Sequence, residues 1–391
     1  MLGPAVPPDL DGPKAELTTL QESPYIGAAV YPRPDYEGNP WSQWGQAIVL
    51  ADGRVVAGIG DHLGVDGNSY LFVYDPDERT LTRFADVASA VSHRSGEWGF
   101  GKIHSQMVDP GDGGVYFSTY WGSRRGLTYS GSYQGDVLFR IDQATLALQP
   151  VSVPVPRHGT PSLATDGRGL IFGEPVDPLV PEDQFPAGGS MVFDVRTGSV
   201  TTFPDDPARD VFRNIMVGTD GSAWFAGDGG TLLRYDPATE RLSPADAVLA
   251  AGLRASTAPD DDGVVYGVTE QPYRFFSFGP GGEVRDLSAP LSYTTSLALL
   301  PDGSAFLHVP GAHGDGGSLG APLIAVDTDT GQQTTLVELA DLVSRKLGLR
   351  LGGTYSVTVD PVRGEAQIGF NAGLAGGEAW GEVVFVVVEL P

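Results

Sequence analysis

The sequence predicts an all-β protein that folds as a single seven-bladed β-propeller of four-stranded antiparallel blades over residues 1–391. Three observations lead to this prediction. A hairpin pattern occurs seven times along the chain, most copies are followed by a second strand pattern, and the chain contains 54 glycines and 31 prolines. Such a composition favours many short strands joined by turns and disfavours a helical protein.

Each hairpin consists of an alternating apolar run, a turn centred on Asp-Gly or a similar pair, and a second alternating run. Asp-Gly readily adopts the positive φ angles that tight hairpin turns require, so the pattern predicts a hairpin directly. The copies are QAIVLADGRVVAGIG, HSQMVDPGDGGVYFSTY, PSLATDGRGLIFGEP, RNIMVGTDGSAWFAGD, ASTAPDDDGVVYGVTE, SLALLPDGSAFLHVP and YSVTVDPVRGEAQIGF.

Two further strands complete most units. A strand enters a turn of the form aromatic or aliphatic residue, Asp, two residues, then Thr or Glu, as in FVYDPDERTL, FRIDQATLAL, MVFDVRTGSV, LRYDPATERL and IAVDTDTGQQ, with FSFGPGGEV as a divergent copy. Repeated units of four strands are typical of a β-propeller. A pair of β-sandwiches is the alternative, but sandwiches do not repeat one four-strand unit in this way.

The seventh unit is one strand short, because EVVFVVVELP supplies a third strand and no fourth follows it. An exposed apolar sheet edge would promote aggregation. We therefore predict that KAELTTLQ, near the N-terminus, is the fourth strand of blade seven and closes the ring. Residues 1–13 are expected to be a disordered leader to this single domain.

Composition excludes several classes of function. The formal net charge of −25 argues against nucleic-acid binding, which needs a basic surface. Cysteine is absent, which rules out disulfides, thiolate metal sites and cysteine nucleophiles. No stretch is apolar enough for a transmembrane helix, and we expect a monomer with no organic cofactor. The proline-rich, acidic N-terminal segment favours a bacterial protein that is secreted, periplasmic or lipid-anchored, its export signal removed, with the cytoplasm as the alternative.

All six histidines map to one face of the predicted disc. We define the top face as the one that carries the links into the innermost strands and the links out of the second strands. Eight cations map to the same face of this acidic protein. These residues are His62, His93, His104, His158, His308 and His313, with Arg94, Lys102, Arg124, Arg125, Arg157, Arg213, Arg254 and Arg274.

The stretch GKIHSQMV places Lys102, His104 and Gln106 on one face of an inner strand, because side chains alternate along a strand. Lys102 is one of only three lysines in the chain. We predict that this strand lines the channel mouth of blade two, where the three side chains reach a ligand. The alternative for each is a hydrogen bond to buried backbone between blades.

The longest top loops combine aromatic residues with arginines, which suits stacking on sugar rings and pairing with carboxylates. The alternative is that these residues pack the loops against one another. We predict that Lys102 or Arg213 binds a substrate carboxylate. The other predicted substrate-binding residues are Trp98, Trp121, Arg124 and Arg125, and Tyr120, Tyr129 and Tyr133 accompany them.

Oxygen and nitrogen donors on the top face also predict a divalent metal site, for Ca, Mg or Mn. The predicted ligands are His62, His104, Gln106 and Glu174. A second candidate is DHLGVDGNS, where Asp61, Asp66 and Asn68 supply oxygen donors, although their spacing is not that of an EF-hand. Glu174 and Glu270, at the ends of second strands, are candidate ligands or general acids, or else ordinary polar loop ends.

The stretch DGSAWFAGDGGTLLRYDPATERL resembles the blades of the streptogramin B lyase group, seven-bladed propellers whose blades repeat Asp-Gly, Trp-Phe and Arg-Ile-Asp-Pro. The resemblance implies the propeller fold across most of the chain. The architecture and the histidine-rich top are also similar to propeller-type polysaccharide lyases, including the oligogalacturonate and ulvan lyases. Because one fold hosts many functions, neither resemblance assigns a role to a residue.

Acid–base or metal-assisted chemistry fits these residue types best. β-Elimination next to a carboxylate needs a cation or metal for the developing charge, a base and an acid. We predict His104 as base or metal ligand and Tyr120 as acid, with His62 and His158 as further base or ligand candidates. The predicted function is a lyase acting on an anionic, uronic-acid-containing saccharide. The alternatives are a non-catalytic propeller that binds a glycan or protein, and a streptogramin-lyase-like, metal-dependent lyase or hydrolase on a small molecule.

Overall fold

A computed structural model of the chain describes residues 2–92, 95–123, 125–128, 133–179, 189–203, 214–312 and 315–391. The strands within these ranges form seven antiparallel sheets, which are the blades of a propeller. The predicted fold class is confirmed. In each sheet the strands follow one another in chain order from the innermost strand outward, except that strands from the N-terminal segment are added at the outer edge of two blades.

Three strands precede the first blade, namely β1 (Lys14–Glu16), β2 (Thr18–Glu22) and β3 (Tyr25–Val30). Blade one comprises β4 (Ile48–Val49), β5 (Val55–Gly60), β6 (Ser69–Asp75) and β7 (Thr80–Asp86). Blade two comprises β8 (Lys102–Ile103), β9 (Gly114–Tyr120), β10 (Leu138–Asp142) and β11 (Leu148–Ser152). Blade three comprises β12 (Leu163–Thr165), β13 (Leu170–Gly173), β14 (Ser190–Asp194) and β15 (Ser199–Phe203).

Blade four comprises β16 (Ile215–Val217), β17 (Ala223–Ala226), β18 (Thr231–Asp236) and β19 (Arg241–Val248). Blade five comprises β20 (Leu253–Ser256), β21 (Val265–Thr269), β22 (Phe275–Phe278) and β23 (Val284–Asp286). Blade six comprises β24 (Ala298–Leu299), β25 (Ala305–His308), β26 (Pro322–Asp327) and β27 (Gln333–Glu338). Blade seven comprises β28 (Leu349–Asp360), β29 (Glu365–Leu374) and β30 (Glu382–Glu389).

Helices are short and lie between strands. Within the described ranges they are α1 (Val87–Ala90), α2 (Ala340–Leu347) and 3-10 turns at Asp228–Gly230 and Gly316–Leu319. Helix α2 buries Val343 against the core between blades six and seven and ends at Gly348, whose φ of 68° suits a left-handed cap. No helix in the described ranges is both long and apolar enough to cross a membrane.

The register of the inner strands defines the top face. Lys102 begins β8 and pairs with Tyr120, which ends β9, so the start of an innermost strand lies beside the end of the second strand. At the opposite face the hairpins turn at Asp-Gly pairs as predicted. In blade four, for example, Gly221 has a φ of 84° and donates its N–H to the carbonyl of Gly218. Links into β4 and β8 therefore share a face with links out of β5 and β9.

An N-terminal strand closes the ring, but it is not the strand that we predicted. The fourth strand of blade seven is β3, which pairs with β30 from Ile26↔Val388 to Val30↔Val384. The predicted strand KAELTTLQ is divided between two sheets, since β1 lies outside β7 in blade one and β2 lies outside β3 in blade seven. The physical reason is burial: β3 is buried along nearly its whole length, whereas β1 and β2 each expose residues and suit an outer edge.

Side chains reinforce the closure between blades one and seven. The side-chain amide of Asn371 donates to the carbonyl of Gln43 at 2.9 Å, and its oxygen accepts the backbone N–H of Gln43 at 2.8 Å. Both residues are 1% exposed. The side-chain amide of Asn371 and the backbone of Gln43 thus form two reciprocal hydrogen bonds, like those between paired strands, where the two sheets meet.

The segment that we predicted to be a disordered leader, residues 1–13, makes backbone contacts with blades one and two. Leu2 bridges Val91 and Val6 bridges Leu148, and the carbonyl of Pro13 accepts the N–H of Arg83. Met1 lies outside the described residues. The segment runs along the outer strands of these blades and leads into β1.

Candidate functional site

A cavity of about 360 Å³ opens on the top face beside the junction of blades one and two. Three residue types in its wall carry chemistry: an imidazole, an ammonium group and a phenol. The lining residues are Asn39, His62, Lys102, Tyr120, Trp121, Gly122 and Ser123. Four of them, His62, Lys102, Tyr120 and Trp121, belong to the predicted site.

Backbone pairing brings His62, Lys102 and Tyr120 together. Lys102 and Tyr120 are register partners, which places their side chains next to each other on the sheet. The N–H of His62 donates to the carbonyl of Gly101 at 2.7 Å, which ties the link after β5 to the strand that carries Lys102. A Cβ atom at Gly122 would overlap the carbonyl oxygen of Leu63, so glycine is needed where the two blades meet.

The ammonium group of Lys102 packs against two aromatic rings. Its Nζ lies 3.9 Å from the ring centre of Trp44 and 5.7 Å from that of Tyr120. The residue is 9% exposed, which is low for a lysine. A buried cation over an aromatic face contributes roughly 0.5–2 kcal/mol, so the ammonium group is held at a defined place beside the cavity.

His62 is neutral at physiological pH. Burial, and secondarily the charge of Lys102, lowers the pKa of His62 from 6.5 to about 3. Its Nε2 atom is buried and has no hydrogen-bond partner among the described residues. Its backbone is left-handed, with a φ of 59°, which is uncommon for a residue other than glycine. A neutral imidazole carries one unprotonated nitrogen, so His62 brings a candidate base to the cavity wall.

His104, our first choice as base, lies behind the cavity wall. It is 5% exposed, and its ring centre lies 5.4 Å from that of Tyr120 and 6.4 Å from that of Trp44. Its Nδ1 lies 3.0 Å from the carbonyl oxygen of Pro161. Because a carbonyl can only accept, Nδ1 carries a proton in this bond. His104 thus supports the wall formed by Tyr120.

Three aromatic residues at the channel mouth were not predicted. Trp44 stacks on Trp380 at 5.4 Å, with an angle of 10° between the rings, and packs against Tyr355 at 4.7 Å. Trp44 also lies 5.5 Å from the ring of His62. A signal existed for Trp44, because it lies in the link into the innermost strand β4 and such links define the predicted top face. Trp380 and Tyr355 come from blade seven and required the closure to be known.

The structure does not bring His158 or Gln106 into the cavity wall. The Nδ1 of His158 lies 2.9 Å from the carbonyl oxygen of Pro156 in the same loop. Gln106 accepts the N–H of Leu163 at 3.1 Å, which bridges the inner strands of blades two and three. The backbone-pairing alternative therefore describes Gln106.

The remaining predicted substrate-binding residues divide into three groups. Trp98 is 7% exposed and packs with Tyr120, Trp121 and Tyr133 in one apolar cluster, which matches the loop-packing alternative. Trp121 belongs to the same cluster and also borders the cavity. Arg125 is exposed outside the cavity wall. The predicted residues His93, Arg94, Arg124, Tyr129, Arg213 and His313 lie outside the described residues.

Other residues on the top face make contacts that stabilise the fold. Arg254 is 2% exposed, contacts the Tyr293 hydroxyl and forms an ion pair with Glu270 at 3.7 Å. His308 is fully buried against Phe275, and burial lowers its pKa to about 3.

The chain also contains a G-x-S-x-G sequence at residues 316–320. It lies in an exposed 3-10 turn whose Ser318 hydroxyl donates to the carbonyl of Asp315, so it lacks the strand-to-helix setting of a nucleophilic serine.

The predicted metal ligands do not form one cluster. Across the described ranges, no three His, Asp or Glu side chains lie close enough to hold one ion, and these ranges contain His62, His104 and Glu174. Glu174 is buried and accepts from the Ser162 hydroxyl at 3.2 Å. In the second candidate, Asp61 and Asn68 use their side-chain oxygens to accept backbone N–H groups. A divalent metal stays a prediction for elemental analysis.

Comparisons with known proteins identify the fold. No protein-family model matches the chain, and no curated protein matches it significantly. A streptogramin B lyase structure aligns with 92% of this chain and 97% of its own, at 13% identity and a TM-score of 0.57. A catalytically inactive variant of virginiamycin B lyase from Staphylococcus aureus with quinupristin aligns with 93% of this chain and 99% of its own, at 10% identity and a TM-score of 0.56.

U3-55K aligns with 92% of this chain and 98% of its own, at 9% identity and a TM-score of 0.54. Its likeness is nearly as close as that of the lyases. At such identities a structural likeness carries the fold and not the activity. The chain therefore has the seven-bladed propeller fold of the streptogramin B lyases, as its sequence resemblance implied.

Proposed function

We propose that the protein is a lyase that cleaves an anionic, uronic-acid-containing saccharide by β-elimination in the cavity at the top of the propeller. The observation that carries the proposal is the meeting of Lys102, His62 and Tyr120 in one cavity wall. These groups supply a cation, an unprotonated nitrogen and a phenol. Elimination beside a carboxylate requires one group of each kind.

Lys102 is the carboxylate clamp in this proposal. The chain carries a formal charge of −25, so an anionic substrate is repelled by most of the surface and attracted where a cation borders a cavity. During proton removal the negative charge spreads onto the substrate carboxylate. A fixed ammonium group beside that carboxylate stabilises the charge more strongly in a partly desolvated cavity than in water.

His62 takes the proton from the carbon next to the carboxylate, and Tyr120 donates a proton to the leaving oxygen. The C–H electron pair becomes the new C=C bond as the C–O bond breaks, which gives an unsaturated product and an alcohol. His62 returns its proton to solvent and the tyrosinate is reprotonated. Burial is the main cause of the low pKa of His62 and the charge of Lys102 is the second, so a bound carboxylate that offsets this charge removes the smaller of the two.

A small-molecule lyase is the second candidate. It is favoured by the fold shared with the streptogramin B lyase and virginiamycin B lyase structures, the latter with quinupristin. It is also consistent with a cavity of about 360 Å³, which fits a small ligand better than a long polymer. The same residues then act on a carboxyl or ester group of a small substrate.

The test is to incubate the purified protein with polygalacturonate, ulvan, hyaluronate and their short oligosaccharides, and separately with quinupristin. Each reaction is run with chelator and with added Ca, Mg or Mn. We expect a uronate product that absorbs in the ultraviolet through its new C=C bond and whose mass shows no added water. Products with added water would establish hydrolysis and contradict elimination. Opening of quinupristin alone would favour the second candidate, and binding without turnover would indicate a glycan-binding propeller.

A further inference from the structure

The link between β5 and β6 presents His62 to the cavity, and one buried carboxylate ties this link together. Asp61 is 0% exposed. Its Oδ1 accepts the N–H of Leu63 at 2.9 Å, and its Oδ2 accepts the N–H of Asn68 at 2.8 Å. Because these N–H groups lie just after His62 and at the far end of the link, a single side chain fixes both ends of it.

Backbone contacts with the top loop of blade two complete the support. Asp66 donates its N–H to the carbonyl of Glu97, Gly99 donates to Gly64, and Phe100 donates to Gly67, over 2.7–3.0 Å. These bonds hold the outer part of the link. The part next to His62 is held by the Asp61 carboxylate and by the bond from the His62 N–H to the carbonyl of Gly101.

His62 needs such support because its backbone is strained. A φ of 59° places a side chain with a Cβ in the left-handed region, an energetic cost that the surroundings must offset. The Asp61 carboxylate stabilises the turn that contains this residue. Without it the link can relax to an ordinary φ and turn the ring away from the cavity.

We infer that Asp61 is the positioning residue of the site: its carboxylate holds the Asp61–Asn68 link in the conformation that directs His62 to the cavity. The inference rests on the proposed function, in which His62 is the base. Asp61 is not one of the cavity-lining residues and acts through the link, although its backbone carbonyl accepts the N–H of the lining residue Asn39 at 2.6 Å. The inference gives a role in the proposed function to a residue that the sequence predicted as an oxygen donor of the second candidate metal site.

A third hydrogen bond to the Asp61 carboxylate makes the inference testable without removing Asp61. The Tyr36 hydroxyl donates to Asp61 Oδ2 at 2.8 Å and lies 2.8 Å from the Tyr70 hydroxyl. Tyr36 is 40% exposed, so Tyr36→Phe removes one hydrogen bond with little loss of packing. Tyr116→Phe is the matched control, because the Tyr116 hydroxyl donates to Asp112 at the same distance on the opposite face of blade two.

The experiment compares Asp61→Asn, Tyr36→Phe and Tyr116→Phe with the wild type by two readouts. The first is the NMR signal of the His62 ring in the ligand-free protein, assigned with His62→Gln. The second is kcat and KM on the uronate substrate. An Asn at position 61 keeps the size of the side chain but offers one acceptor oxygen in place of two.

We expect the His62 signal to move in Asp61→Asn and, less, in Tyr36→Phe, with kcat reduced roughly 10- to 100-fold in Asp61→Asn and KM nearly unchanged. Tyr116→Phe should match the wild type in both readouts. An unmoved His62 signal in Asp61→Asn, or in Tyr36→Phe should Asp61→Asn fail to fold, would overturn the inference. Because that signal needs no substrate, it decides the positioning role even if the protein eliminates none of the uronates.

Discussion

The ammonium nitrogen of Lys102 lies 3.9 Å from the ring centre of Trp44. The two residues come from neighbouring blades, and each precedes or begins an innermost strand. The contact therefore places a positive charge on an aromatic surface that continues to Trp380 and Tyr355. It makes the top of the channel both cationic and apolar, a combination suited to a carboxylate-bearing sugar ring.

His104→Ala should lower the free energy of unfolding by about 1–3 kcal/mol, because the carbonyl of Pro161 loses its buried hydrogen-bond partner. This differs from a surface site residue, whose loss we would expect to change stability by about 1 kcal/mol or less. Urea denaturation measures the difference. His158→Ala is the control, since His158 bonds within its own partly exposed loop. Equal stability of the two variants would contradict the supporting role of His104.

Acid should destabilise the protein through His308. Its pKa is lowered by burial to about 3 in the folded chain, whereas an unfolded histidine has a pKa near 6.5. The unfolded state therefore binds a proton that the folded state does not, so this contribution is present above about pH 6.5 and is lost as the pH falls from 6.5 towards 3. In His308→Gln the fall in stability between pH 7 and pH 4 should be smaller by on the order of several kcal/mol.

Denaturant unfolding of both proteins at several pH values in that range measures the effect. The informative quantity is the slope with pH, because the variant also changes packing at neutral pH. Parallel pH dependence of wild type and His308→Gln would mean that His308 is not held neutral.

Gly122→Ala should damage the site. A Cβ atom there overlaps the carbonyl oxygen of Leu63 and lies 2.8 Å from the carbonyl carbon of His62, so blades one and two must move apart. We expect turnover to fall sharply and the melting temperature to drop. Gly377→Ala is the control, because its Cβ would meet one oxygen at an ordinary 3.4 Å. A Gly122→Ala variant as active as Gly377→Ala would show that the blade contact does not shape the cavity.

Closure by β3 predicts that Ile26→Ala lowers the free energy of unfolding by about 2–5 kcal/mol, as for a fully buried core residue. Ile26 pairs with Val388 and packs in the core between blades six and seven. Leu10→Ala is the matched control, since Leu10 is 49% exposed and should change stability by about 0.5 kcal/mol or less. Similar losses in the two variants would contradict closure through β3.

The sequence predicted the blades well because their turns are local. Each Asp-Gly pair determines a hairpin within about ten residues. The pattern of GKIHSQMV predicted correctly that Lys102 begins an inner strand, but β8 ends at Ile103, so His104 and Gln106 lie outside the strand. The closing strand was misassigned because alternation marks an outer strand as readily as an inner one. Burial on both sides, as in YIGAAV, distinguishes β3, and the pattern of KAELTTLQ matched a position at the edge.

The site was predicted only in part for a related reason. Lys102 and Tyr120 pair within one blade, so the hairpin pattern placed them together. Trp44, Tyr355 and Trp380 meet across the closure, and no local pattern reports contacts between the two ends of the chain. Nor does spacing tell which histidine faces the cavity: His62 depends on a left-handed backbone and on Asp61, both set by tertiary contacts.

The most direct test of the account is the rate of unsaturated uronate formation by Lys102→Met compared with the wild type and Lys346→Met. Methionine keeps an unbranched apolar stem over Trp44 and removes the charge, whereas Lys346 lies exposed at the end of α2. We predict that Lys102→Met remains folded and forms product at about one hundredth of the wild-type rate or below. Lys346→Met should form product at the wild-type rate. Wild-type rates in Lys102→Met would contradict the proposal that the Lys102 cavity is the site of elimination.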